Sequence, residues 1–278
     1  MQKLITDIHT HSTFSHDGKD SLEDMLATAV EKGVCFYGVS EHYDYDVYLA
    51  TGEKLRPMGI EEEYFHTARH LQEDYAGVLN VLVGLEYGYD DDTRAHKAYL
   101  EVTEKYKPDF IVNSVHSING VDYFNKNPYY NADGTTRDKD EVYGEYLALI
   151  RRSLDAPYPY DIVAHLGYVT RYAPHEDKTL SFTRHQAQID DILQTIIRKG
   201  KILEVNSSNR SGITPYLPQR EIIERYFALG GRAVSYASDT HHTARVIDKR
   251  EKVVQTLKEI GFTYITVPCK GEYIKVEI

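Results

Sequence analysis

The 278-residue sequence predicts an α/β barrel, and three observations carry that expectation. Seven short apolar runs alternate with helical stretches along the chain. No glycine-rich dinucleotide fingerprint follows the first run, as many open doubly wound sheets would have. Almost every run stops at a histidine, aspartate or glutamate. Barrel enzymes build their sites at the C-terminal rim of the strands, where residues distant in sequence meet.

The first run, KLITDI at residues 3–8, leads to His9 and His11. At i, i+2 spacing both side chains share one face of a strand and can grip one ion. A helix follows, with Ser21 as N-cap and Gly33 as its stop; Gly200, Gly230 and Gly261 close later helices in the same way. CFYGVS (35–40) leads to Glu41 and His42, VLNVLVGL (78–85) to Glu86, and FIVNSV (110–115) to His116. Residues 117–141 are the most loop-like and read as a long connection or lid. YDIVA (160–164) leads to His165. KILEVN (201–206) is the sixth run and the one with no metal-capable residue after it. RAVSYAS (232–238) leads to Asp239, His241 and His242. An eighth run, FTYITV, then Pro268 and a final EYIKVEI, reads as an added hairpin or edge strand. No linker interrupts the pattern, so residues 1–278 read as a single barrel domain.

Composition narrows the function. With 41% apolar and 27% charged residues the chain is of the soluble globular class. A net charge of -11 repels polyanions, so extended nucleic acid is not an expected partner. The absence of a targeting segment and of any apolar run near ~18 residues points to a cytoplasmic protein with no membrane partner. Two cysteines are too few for a disulfide framework, and Cys35, inside an apolar run, reads as an inert buried thiol.

Taken singly, His116 or Glu86 would more often be a hydrogen-bonded or ion-paired residue near a core than a metal ligand. Nine such residues at successive strand ends call for one explanation, a metal centre. Mixed imidazole and carboxylate donors suit Zn, Mn or Fe, and the number of donors exceeds what one ion takes. His66 and His70, spaced i, i+4, read as helix-surface residues, and His96, His175 and His185 as having no part in the site.

The ordered set HTHSTFSHDG, SEHYDY, GLEYG, NSVHSI, AHLGYVTR, EVNSSNR and ASDTHH resembles the polymerase and histidinol phosphatase (PHP) superfamily, in particular its monofunctional histidinol-phosphatases. The resemblance runs from Ile5 to about His242. It implies a distorted (β/α)7 TIM-like barrel, the PHP fold, holding three divalent transition-metal ions (Zn, Mn or Fe). It places His9, His11, Glu86 and Asp239 on the first ion, with Glu86 bridging to a second held by His116 and His165. Asp17, His42 and His241 hold a third, Asp17 being favoured over the adjacent His16, and Glu41 orients a ligating imidazole.

The activity implied is hydrolysis of L-histidinol phosphate to L-histidinol and phosphate, a step of histidine biosynthesis. Hydroxide bridging two ions attacks phosphorus. Three divalent ions against the carboxylates of Asp17, Glu86 and Asp239 leave a surplus near plus three that draws the phosphate in. Arg171 and Arg210 are expected on the phosphate, Glu86 and Asp239 in the catalytic centre, and His242 or water as the proton donor to the leaving alkoxide. The tyrosine-rich stretch from Tyr123 to Tyr130 is a candidate for the histidinol end of the pocket. The rivals are a PHP-type phosphodiesterase or exonuclease, a phosphatase of another small phosphometabolite, an amidohydrolase-type deacetylase and a metal-holding protein without activity.

Overall fold

The computed structural model describes residues 4–45, 61–209 and 214–278. Arg210 therefore lies outside the described residues. In chain order the elements are β1 (Ile5–Thr10), α1 (Leu22–Glu31), β2 (Val34–Tyr43), α2 (Glu61–Asp74), β3 (Asn80–Gly88), α3 (Thr93–Tyr106) and β4 (Phe110–Ser114). A small hairpin, β5 (Ser117–Ile118) and β6 (Val121–Asp122), precedes α4 (Lys139–Ser153), β7 (Ile162–Val163), α5 (Phe182–Arg198) and β8 (Ile202–Asn206). The chain ends with α6 (Arg220–Ala228), β9 (Val234–Ala237), α7 (Arg250–Ile260), β10 (Tyr264–Cys269) and β11 (Glu272–Glu277).

The seven parallel strands are ordered β1-β2-β3-β4-β7-β8-β9, and the two edges meet. A parallel bridge joins Thr10 to Thr240, and the Asp239 amide donates to the His9 carbonyl (2.9 Å). This is the near-closed seven-stranded barrel the sequence predicts, and β10–β11 is the expected C-terminal hairpin. Ser21 caps α1 by accepting from the Asp24 amide, and Gly33 stops it at φ +71°, a backbone that residues with a Cβ avoid.

The first three strands run further than their apolar stretches. The expected first, second and third strands stop at residues 8, 40 and 85, yet the ladders continue to Thr10, Tyr43 and Gly88. Hydrophobicity ends where the site begins, but the backbone pairing does not, so His9, His42 and Glu86 stand on strands. β7 is shorter than expected: it ends just before His165, whose φ of +22° breaks the ladder. Residues 117–138 are largely structured, with the hairpin and two single turns at Tyr123–Asn125 and Asn127–Tyr129. Cys35 is half-buried rather than buried. None of the described helices is long and apolar enough to cross a membrane.

Candidate metal centre

β1 brings His9 and His11 inside the barrel, both fully buried. Their Nε2 atoms lie 3.1 Å apart and 3.3 and 3.5 Å from Glu86 Oε2. Glu86 is also fully buried. Its other oxygen, Oε1, lies 3.1 Å from His116 Nε2 and 3.0 Å from His165 Nε2, and those two nitrogens are 3.3 Å apart. His42 stands at a junction: Nδ1 faces Glu86 Oε2 at 2.8 Å, while Nε2 lies 3.4 Å from His241 Nε2 and 3.8 Å from Asp17 Oδ1. Asp17 Oδ2 is 3.2 Å from His241 Nε2, and Asp239 Oδ1 is 3.6 Å from His11 Nε2. All nine expected ligands thus gather in one cluster. Asp17 faces it, whereas His16 Nδ1 is 3.9 Å from Asp17 and its ring lies at the edge.

The cluster fits cations. An imidazole carries one N–H when neutral. His9 Nδ1 sits 2.6 Å from Glu204 Oε1 and donates to it, which turns the Nε2 lone pair toward His11. Ring nitrogens face one another at 3.1–3.4 Å in three places, and a cation between two such lone pairs satisfies both. The buried Asp17 Oδ1 atom moreover lacks a hydrogen-bond partner. Imidazole with carboxylate is the donor chemistry of Zn, Mn and Fe.

Protons otherwise take the cations' place. Burial works against charge on His9 and His116, yet Glu86, with Glu204 or Asp44 beside it, raises both well above the usual imidazole range. His42 is raised to about 9 by Glu86 against the same penalty. His11 and His165 are lowered, chiefly by burial, with His42 and His241 adding to the effect at His11. Burial would raise the Glu86 carboxyl, but His9, His116 and His42 hold it well below its ordinary range. Metal binding to such a site releases protons.

The supporting shell holds what the sequence reading missed. β8, the strand without a ligand, supplies Glu204, which also accepts from the His165 amide (2.8 Å) and from Asn206 Nδ2 (2.9 Å). Asp44 Oδ1 takes His116 Nδ1 at 2.9 Å. A Cβ on Gly88 would run into Asp44, so only glycine lets that carboxylate through. A carboxylate in the apolar run ILEVN, and one two residues after His42, just past the end of β2, were the available signals. Both reduce the charge surplus predicted from sequence: six positive charges on three ions would meet five carboxylates in contact with the cluster, leaving about one.

Glu41 acts less directly than expected. It accepts from the Ser12 amide and hydroxyl and from the Ser15 hydroxyl, and Ser15 Oγ in turn faces His11 Nδ1 (3.2 Å) and accepts from the His42 amide (3.0 Å). Asp239 has a left-handed φ of +49°, the strained backbone that functional sites retain. Arg171 is nearly buried and reaches Asp239 Oδ2 and Asn206 Oδ1, both at 3.0 Å, with its guanidinium over the Tyr168 ring. The cluster floors a cavity of about 400 Å³, with His16, Lys19, Arg171 and His242 on its walls. Tyr123 and Tyr129, expected at the substrate, are instead in the core. His66, His70, His96, His175 and His185 do not line the cavity.

Comparison with known proteins adds to this geometry. The PHP domain family model matches residues 7–208. The histidinol-phosphatase of Lactococcus lactis is 27% identical, with 94% of this chain and 93% of that protein aligned. A probable histidinol-phosphatase of Thermotoga maritima is 28% identical over 95% and 96%. A crystal structure of the L. lactis histidinol phosphate phosphatase, complexed with zinc, L-histidinol and phosphate, superposes with a TM-score of 0.85 at 24% identity, covering 98% of this chain and 99% of that one. A putative histidinol phosphatase from Listeria monocytogenes superposes at 0.73, with 18% identity, over 89% and 99%.

Proposed function

The chain belongs to the PHP domain family, and from that premise we propose that it is a metal-dependent phosphomonoesterase that hydrolyses L-histidinol phosphate to L-histidinol and inorganic phosphate. The observation that carries the reading is the gathering of imidazoles and carboxylates from six strand ends on Glu86, beneath a cavity of metabolite size. Relatives of nearly the same length with this activity support the substrate. Eight donor residues about a shared Glu86 support three ions, and the imidazole content supports Zn, Mn or Fe. Residues 1–278 are read as one catalytic unit, because the barrel and its C-terminal hairpin share buried contacts.

Such cations, when bound, acidify water and draw charge from phosphoryl oxygens. The chain's own part is to hold and orient. His9, His11, Glu86 and Asp239 form one ligand set, His116 and His165 with Glu86 a second, and Asp17, His42 and His241 a third. Arg171, held against Asp239 and Asn206, presents a fixed guanidinium for the phosphate, and Arg210 is assigned the same role. His242, which lines the cavity, is assigned the role of handing a proton to the leaving alkoxide, with water as the alternative.

The test uses protein loaded with Mn, Zn or Fe. L-Histidinol phosphate, other monoesters and bis(p-nitrophenyl) phosphate are compared, and the first is expected to lead by ~10² or more in kcat/KM. Chelation should abolish turnover and re-addition of metal restore it. Preference for the diester would overturn the reading in favour of the nuclease rival.

A further inference from the structure

We infer that Asp122, with Phe124 and Tyr172 beside it, is the part of the cavity that recognises a cationic nitrogen, so that the site selects aminated phosphate monoesters over neutral ones. The inference rests on the proposed reading that the phosphate end of the substrate lies at the metal cluster and Arg171.

Asp122 sits on β6, held next to the cluster because the Tyr123 amide donates to the His116 carbonyl (3.0 Å). Its side chain lines the cavity and is only 8% exposed. One oxygen accepts from the Phe124 amide (2.6 Å) and caps the turn Tyr123–Asn125. Among the described residues no Lys, Arg or His is ion-paired with it. His116, a nearby positive group, is already engaged by Asp44 and Glu86. Burial pushes the Asp122 carboxyl up to about 6, although His116 and His42 pull it the other way. A ligand that brings its own positive charge removes that cost.

The walls beside it are aromatic. Phe124 is 60% exposed at the mouth, and its ring meets Tyr172 edge-on at 5.3 Å. Tyr172 in turn meets Tyr168 at 5.6 Å. Exposed aromatic faces next to a carboxylate suit an ammonium or imidazolium group. The cavity is therefore dipolar: Arg171 marks the end for a dianion and Asp122 the end for a cation.

Asp122→Asn keeps the turn cap and the shape while removing the charge. With metal-loaded enzyme, kcat/KM for L-histidinol phosphate should fall roughly 30–100-fold, mostly through KM, while p-nitrophenyl phosphate changes less than about threefold. Phe124→Ala, at a position the core does not need, should cost the aminated ester about fivefold and the neutral ester nothing. Equal losses on both esters, or no loss on the aminated one in either variant, would overturn the inference. Should the wild type ignore L-histidinol phosphate, the proposed substrate falls, but Asp122 is still tested by phosphoethanolamine against a neutral alkyl phosphate. A preference for the amine that Asp122→Asn abolishes upholds the inference, and no preference overturns it.

Discussion

The two ends of the barrel are built from the same strands and obey opposite rules. At the lower end Ile8, Leu82, Phe110, Val112, Ile162 and Ile202 form a dry cluster that the hairpin β10–β11 covers with Val267 and Val276. One residue past Ile8 stands His9, four past Leu82 stands Glu86, and two past Ile202 stands Glu204. The lower end lets apolar area leave water and asks little of geometry beyond volume. The upper end buries charges at a desolvation penalty and recovers it only through a closed set of contacts. Stability is concentrated at one end and chemistry at the other, and substitutions should separate them.

The largest separation is expected from Glu86→Gln. Its two oxygens touch five imidazoles, so loss of the charge should lower kcat/KM by ~10³-fold or more, roughly 4 kcal/mol of barrel-top function. A variant that keeps activity within tenfold would break the contrast. The counterpart is Phe110→Ala. Gly38 and Gly84 leave room for the Phe110 ring, a Cβ on either falling within 3 Å of it. Glycines cannot move side chains into the vacated space, so unfolding should become easier by about 3–5 kcal/mol. Kinetics of the remaining folded enzyme should be unchanged, as a denaturation curve paired with a kcat/KM measurement would establish.

The lower end was the more legible in sequence. Short apolar runs announced the strands, and the chain order of β and α elements announced closure. The upper end was legible in part. Histidines at run ends are rare enough to be noticed, and the structure gathers all nine of the singled-out donors, but where β1, β2 and β3 stop was misjudged because polarity changes before pairing does. Residues that act through other residues were legible only in part: Glu41 is expected to orient an imidazole, but its route is not. Asp44 and Glu204 look like ordinary acids until the fold shows an imidazole against each, and Glu41 works through Ser15, a link that no spacing encodes. The stretch from Tyr123 to Tyr130 was singled out for its tyrosines, yet Tyr123 and Tyr129 go to the core and Phe124 lines the cavity, while Asp122 lies one residue before the stretch.

Glu204 sharpens the comparison most, although its expected effect is the smallest of the three. It belongs to the upper end by contact and to the lower by burial, fully enclosed on the strand that also places Ile202 in the dry cluster. Its Oε1 holds the His9 Nδ1–H and so fixes the tautomer that directs Nε2 into the cluster. Its Oε2 holds the His165 amide, where the backbone turns to positive φ. Glu204→Gln preserves volume and an acceptor but removes the charge that makes His9 a stronger donor. Metal affinity should therefore weaken about 10–100-fold, the range for partners of ligating histidines, with one ion lost before the others in a metal titration. The d–d spectrum of the cobalt-substituted protein should shift as the His9 ring loses its anchor, a change that packing alone would not produce. An unaltered spectrum and titration would mean that Glu204 serves the barrel wall only, and the boundary between the two ends would then lie above it.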